Sequence, residues 1–149
     1  MNLTYKDDAG KDIPVVMGSY GIGPGRVMGT IVEVMSDSKG IVWPKAVAPF
    51  AVHILPLQID DAEVMKEAED IYADLNKKGI EVLIDDRAGR PGEKFADADL
   101  IGIPVHVVIS KKTLLEKQVE IRGRKNNSVE LVQLREAVNA VIAGLRNSA

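Results

Sequence analysis

Apolar residues are distributed in two regimes along this chain, and the change falls near residue 50. Before it, apolar runs are short and broken by glycine and proline. Leu3 to Tyr5 reads as a short strand entering the turn Asp7–Lys11, and Ile13 to Tyr20 as its return strand, with Val15, Val16 and Met17 apolar. Gly21-Ile22-Gly23-Pro24-Gly25-Arg26 breaks that strand. Met28, Ile31, Val32 and Met35 then recur at helical spacing, with Pro24 suited to a first turn. Residues 36–40 end this unit, and Ile41 to Phe50, carrying Pro44 and Pro49, reads as an extended connector.

After residue 50, compact apolar runs alternate with helical periodicity. Ala51–Leu57, Ile80–Ile84 and Pro104–Ile109 read as strands. Between the first two lies a helix opened by Asp60 with Glu63, burying Met65, Ala68, Tyr72 and Leu75, flanked by Val64 and Ile71, and stopped by Gly79. Between the second and third, a polar loop, Asp85–Gly92, leads into a short helix, Glu93–Ile101, burying Phe95, Ala98 and Ile101 and stopped by Gly102 and Pro104. Crossovers of helical length make these strands parallel. The tail changes mode: Val119 and Ile121 alternate with charge, Gly123–Ser128 turns, and Val129–Val132 returns as a hairpin. Leu134, Ala137, Val138, Val141, Ile142 and Leu145 mark a final amphipathic helix. The expected fold is α/β: a mixed five-stranded sheet with three main helices, preceded by a β-hairpin plus helix.

Composition narrows the function. The 149 residues are 46% hydrophobic and 28% charged, in the range of a globular domain that buries a core without cross-links. The absence of cysteine removes disulfides and thiolate metal sites. No apolar run is long enough for a membrane span, and the first residues lack a signal-peptide pattern. The net charge of −3 is unevenly spread. Residues 60–81 hold eight acidic and three basic residues, whereas 82–149 hold nine acidic and eleven basic. Contact with phosphate, if made, is local and not a general polycationic attraction.

Two segments carry candidate chemistry. The glycine turn lacks the third small residue of a dinucleotide fingerprint, since Arg26 stands there. It remains either a phosphate site built on a helix start and a guanidinium or a tight turn with a solvated arginine. Asp85-Asp86-Arg87, followed by Gly89-Arg90-Pro91-Gly92-Glu93-Lys94-Phe95, lies after a parallel strand, where open α/β sheets bind ligands. Arginine and carboxylates can read base edges, and RNA loops present such edges. A salt-bridged loop with no ligand is the alternative. Asp85 and Asp86 have no nucleophile, histidine partner or third ligand in sequence to make them an acid–base or metal site. His53 and His106 lie on apolar strands and read as structural. Lys111, Lys112, Arg122, Arg124 and Lys125 are either phosphate contacts or solvated turn charges, and Trp43 and Phe50 are placed to pack the connector onto a domain.

Met17-Gly18-Ser19-Tyr20-Gly21-Ile22-Gly23-Pro24-Gly25-Arg26 resembles motif 3 of class II aminoacyl-tRNA synthetases, in the form of the bacterial prolyl family. Residues 40–50, with Trp43-Pro44 and Ala48-Pro49-Phe50, resemble that family's entry into its anticodon-binding domain. Asp85-Asp86-Arg87 with Pro91-Gly92-x-Lys94-Phe95-x-Asp97-Ala98-Asp99-Leu100 resembles the signature inside that domain. The resemblance implies a catalytic-domain remnant at 1–40, a linker at 41–50 and an anticodon-binding domain at 51–149. It implies ATP contacts by Arg26, Gly21 and Gly23 in an intact enzyme that uses ATP with magnesium, is cytoplasmic and forms a homodimer. Asp86, Arg87, Lys94 and Phe95 are the implied anticodon contacts, the partner being proline tRNA, whose anticodons share two guanines. Motifs 1 and 2 are absent from the sequence, so no catalytic residue is assigned and no cofactor is expected for this chain alone. Two other readings remain: a synthetase-derived accessory protein using the domain for protein contacts, and a flavodoxin-like enzyme binding a nucleotide at 85–92.

Overall fold

The computed structural model describes residues 3–147, with side chains through Arg146; the outermost residues of the two expected units lie outside the described residues. The chain opens with an antiparallel hairpin, β1 (Thr4–Lys6) and β2 (Asp12–Pro14). Its turn is held by the Asp7 carboxylate, which accepts from the N–H groups of Ala9 and Lys11. The return strand expected to reach Tyr20 stops at Pro14, and Val16, Met17, Tyr20 and Ile22 stand exposed. Two strands without a third layer give those side chains nothing to pack on. Helix α1 (Pro24–Val34) forms as its periodicity predicts, with proline in its first turn, yet none of its residues is buried.

The expected turn at 36–40 is itself a small hairpin, β3 (Ser36–Asp37) and β4 (Gly40–Ile41). The connector after it is not fully extended: Val47 and Ala48 donate back to Pro44 O. Trp43 anchors it, the indole Nε1 donating to Ile101 O at 2.9 Å and the backbone N–H to Gly102 O at 3.2 Å.

The remainder runs β5 (Val52–Pro56), α2 (Ala62–Lys77), β6 (Val82–Ile84), α3 (Pro91–Ile101), β7 (Val105–Ile109), α4 (Lys111–Leu115), β8 (Gln118–Gly123), β9 (Val129–Gln133), a 3₁₀ turn (Leu134–Glu136) and α5 (Ala137–Asn147). The strands form one mixed sheet in the order β6-β5-β7-β8-β9, parallel across β6, β5 and β7 and antiparallel from β7 to β9. The five-stranded α/β architecture is therefore as expected; the five-residue α4, which no periodicity announced, is an addition.

Strand alternation assigns each face. Val52, Ile54, Val105 and Val107 point to one side and join α2 and α5 in the main core. Leu55 and Val108 point to the other and meet Ala98 and Phe95 of α3. Two expected details of α2 shift by one position. Its cap is Asp61, accepting from the N–H groups of Glu63 and Val64, instead of Asp60. Its buried stripe is Val64, Ala68, Ile71 and Leu75, with Tyr72 turned outward. Ala68 and Leu75 are buried as expected, and the flanking Val64 and Ile71 take the places of Met65 and Tyr72. In α3 the buried residues are Ala98, as expected, and Lys94, while Ile101 is 37% exposed.

Candidate nucleic-acid interface

The polar loop begins where β6 ends, at the carboxyl edge of the parallel strands. Asp85 is buried, and its N–H continues the ladder to Ile54 O at 3.0 Å. Its carboxylate accepts from three groups of Arg87: the backbone N–H at 3.2 Å, Nε at 2.9 Å and Nη2 at 2.9 Å. The Nη2 group also donates to Asp97 Oδ2 of α3, at 2.8 Å. Arg87 is thus clamped between two carboxylates while most of its side chain faces solvent. The Arg87 hydrogen bonds hold the Asp85 carboxyl below the usual carboxylate range, and the two aspartates push the guanidinium pKa up. Of the five N–H donors of a guanidinium, three are engaged, leaving the two on Nη1 for a ligand. Base reading through Nε and Nη2 together is blocked in this arrangement.

Lys94 stands differently from its expected place at the surface. It is 2% exposed, and its ammonium donates to Pro56 O at 2.7 Å and Asp85 O at 2.9 Å. It fastens α3 to the carboxyl ends of two adjacent strands, and burial lowers its pKa. Phe95 packs on the other flank of α3, half-buried, with the Arg122 guanidinium 5.0 Å above its ring. Asp86 points outward and enters no side-chain hydrogen bond or ion pair among the described residues. The fold therefore joins Arg87 and Lys94 through Asp85, and sets Phe95 with Arg122 beyond the helix. Lys111 is paired with Asp61, and Arg124, expected in a solvated turn, is buried in a bidentate ion pair with Asp37 at 2.7 Å.

Three residues of this region were named in the sequence but not placed beside the loop: Asp97 only within the signature, Arg122 as a phosphate contact or solvated charge, and His53 as structural. Asp97 carried a signal, since a carboxylate in the first two turns after an arginine loop can meet it. Arg122 had only its charge. His53 had none: it is a lone histidine on an apolar strand. It lies in register with His106 of β7, ring centroids 5.8 Å apart and planes perpendicular. Both rings are buried, and burial pushes both down to about 4. His53 Nδ1 and His106 Nε2 have no hydrogen-bond partner among the described residues. A shallow cavity of about 240 Å³ reaches His53 from outside, walled by Leu83, Asp85, Arg87, Asp97 and Ile101.

In the N-terminal segment Gly21 and Arg26 are exposed, and Arg26 lies over Gly23, where an added Cβ would stand 3.0 Å from Nε. No side chain caps α1, so its first N–H groups lack an internal acceptor. Among the described residues no group of three or more His, Cys, Asp or Glu could hold a metal ion, and no helix is long and apolar enough to cross a membrane.

A mixed α/β sheet carries its charged loop at the carboxyl edge of its parallel strands, where open α/β domains bind ligands. Residues 51–143 match the model of the anticodon binding domain family, and the chain belongs to that family. It is similar to the proline--tRNA ligase of Thermodesulfovibrio yellowstonii, 45% identical over 149 residues, covering 95% of this chain and 26% of the ligase. With that of Bacillus cereus (strain G9842) it shares 48% identity over 136 residues, covering 91% and 24%. With that of Burkholderia thailandensis the figures are 43% over 147 residues, 98% and 25%. The chain spans about a quarter of the length of these relatives.

Proposed function

We propose that this chain is the C-terminal part of a proline--tRNA ligase and recognises the anticodon of proline tRNA through the loop at 85–90 and the start of α3. The observation that carries the reading is the extent of the similarity: it runs through nearly the whole chain, including the segment before residue 51 that the domain family does not cover. On this reading residues 1–40 belong to the catalytic domain, 41–50 link it, and 51–149 bind RNA. Arg87 contacts a base or phosphate through Nη1, Asp86 is free to accept from a base amino group, and Phe95 with Arg122 offers a stacking surface. Lys94 contributes by holding the loop to the sheet, not by touching RNA.

The intact cytoplasmic enzyme, a homodimer, uses ATP with magnesium to join proline to its tRNA. Arg26 and the glycines at 21 and 23 fit a phosphate there, because the uncapped start of α1 supplies N–H donors beside a guanidinium. Among the described residues no cluster suits the magnesium, and none of them is assigned to it.

An NMR titration of the chain with the anticodon stem-loop of proline tRNA tests the proposal, beside a loop whose two guanines are cytosines. Shifts at 85–97 that weaken with the base change are expected. Equal responses that fade together as salt rises would mean backbone attraction alone and overturn base recognition.

A further inference from the structure

We propose that strand β9, an outer edge of the sheet, pairs antiparallel with β9 of a second copy of this chain across a two-fold axis at Leu131. The pairing is independent of the anticodon reading and uses no residue assigned to RNA.

Two strands end the sheet, β6 and β9, and they are not alike. Edge β6 is three residues long and runs between Glu81 and the charged loop at 85–87, so it is short and guarded by charge. Edge β9 is five residues long, Val129-Glu130-Leu131-Val132-Gln133, with one charge and no proline or lysine. It pairs with β8 residue for residue, without a bulge to twist it away. The ladder shows which backbone groups it leaves over. Gly123 N–H donates to Ser128 O and Leu134 N–H to Lys117 O, so the even-numbered positions of β9 face β8. Val129, Leu131 and Gln133 therefore turn their N–H and C=O groups outward. Gln133 C=O is committed to the 3₁₀ turn that it caps; the others meet no loop among the described residues. The side chains of Val129 and Leu131, 57% and 55% exposed, make an apolar strip along the same edge. They lie on the face opposite Val132, which packs in the main core with α5. Unpaired backbone groups beside uncovered apolar side chains are satisfied together by an added strand.

A second copy fits because the strand complements itself. With the axis at Leu131, Leu131 faces its own copy, Val129 faces Gln133, and Glu130 faces Val132. The outward groups then supply four backbone hydrogen bonds, two between the Leu131 residues and two from Gln133 N–H to Val129 C=O. The two leucines meet on the exposed face, and no like charges oppose each other. An axis at Glu130 would set two carboxylates face to face, and one at Val132 would lean on the Gln133 carbonyl already used. The order of residues in β9 thus selects one register. A single five-residue strand pair is a small interface, so the association is of the transient class that buries less than about 1,200 Å².

The chain has no cysteine, so introduced cysteines read the register directly. Opposed Leu131 residues place their Cα atoms about 5.5 Å apart, within the about 4.4–6.8 Å that a disulfide spans. Glu130 lies about 8 Å from its own copy, at ~3.4 Å per residue along the strand. Under mild oxidation of the full chain, Leu131→Cys should form a disulfide dimer about tenfold or more faster than Glu130→Cys, which is also exposed. A mixture of Val129→Cys and Gln133→Cys should give the mixed dimer in preference to either homodimer. Sedimentation equilibrium of the wild type should show the mass rising from monomer toward dimer with concentration. Leu131→Lys sets two ammonium groups against each other at an exposed position, so circular dichroism should be unchanged while association weakens about tenfold or more. A wild type that stays monomeric to about 1 mM overturns the pairing. So does a dimer that Leu131→Lys leaves intact, or equal disulfide formation at 130 and 131, since either would place the contact away from β9, as at the exposed apolar residues between 16 and 28.

Discussion

His53 and His106 meet edge to face between β5 and β7, each with a ring nitrogen that finds no partner among the described residues. Buried imidazoles of this kind are kept neutral, which links folding to pH. Both are pushed from 6.5 to about 4, so the unfolded chain binds protons that the folded chain refuses. Their stabilisation is complete above pH 6.5, declines as pH falls toward 4 and levels off below it. At 1.36 kcal/mol per pKa unit, the loss is about 3 kcal/mol for each ring. Urea midpoints should therefore fall steadily between pH 7 and 5, and the His53→Leu, His106→Leu double variant should flatten that slope. A wild-type midpoint constant over this range would show that the rings are hydrated or paired. Lys94 illustrates the same physics at one remove. The family resemblance implied it as an anticodon contact, but two backbone carbonyls at the strand ends take its ammonium inward. Sequence shows a charge; only packing shows which way it points.

Helix α3 connects two regions that sequence treats separately. Its first turns bear Lys94 and Asp97, tied to the loop at Asp85 and Arg87, and its end receives the β3–β4 hairpin. Gly102, at φ +78°, terminates it in the left-handed region. A Cβ at that position would also collide with the Ile41 carbonyl, so two independent demands fall on one residue. Gly102→Ala should cost at least about 1–3 kcal/mol from backbone strain, with further loss if the hairpin is displaced. An unchanged denaturant midpoint would contradict this. The glycine stop itself was legible, since a glycine followed by Pro104 closes a helical pattern. The close approach of Ile41 was not, because nothing in the pattern ties residue 41 to residue 102.

Across the whole molecule, the N-terminal segment is held to the α/β unit by a clasp around residues 37–43. Asp37 accepts from Arg124 Nη1 and Nη2, both at 2.7 Å, and from the N–H groups of Lys39 and Gly40. The Arg124 hydrogen bond keeps its carboxyl well below the usual carboxylate range. Stability from this pair is present above pH 4 and is lost only as the solution becomes strongly acid. Arg124 also donates to Asp99 O, and Trp43 to Ile101 O, so both partners close on the end of α3. Trp43 is the chain's one tryptophan and reports the clasp directly. Asp37→Ala should shift its emission to the red while far-ultraviolet circular dichroism keeps the α/β signal. Unshifted emission would show that the segment is held by other contacts.

By itself, the sequence determined the periodicity of each major element, the parallel crossovers, the glycine stops and the loop on which charge gathers at the sheet's edge. These are local properties: spacing of apolar residues, turn chemistry and helix-length separations act over a few residues and survive any packing. Tertiary structure alone decided which charges remain available. It turned Lys94 and Arg124 inward, clamped Arg87 between Asp85 and Asp97, set Arg122 over Phe95 and brought His53 to the wall of a cavity. Each of these depends on residues distant in sequence meeting where burial makes an unpaired charge costly.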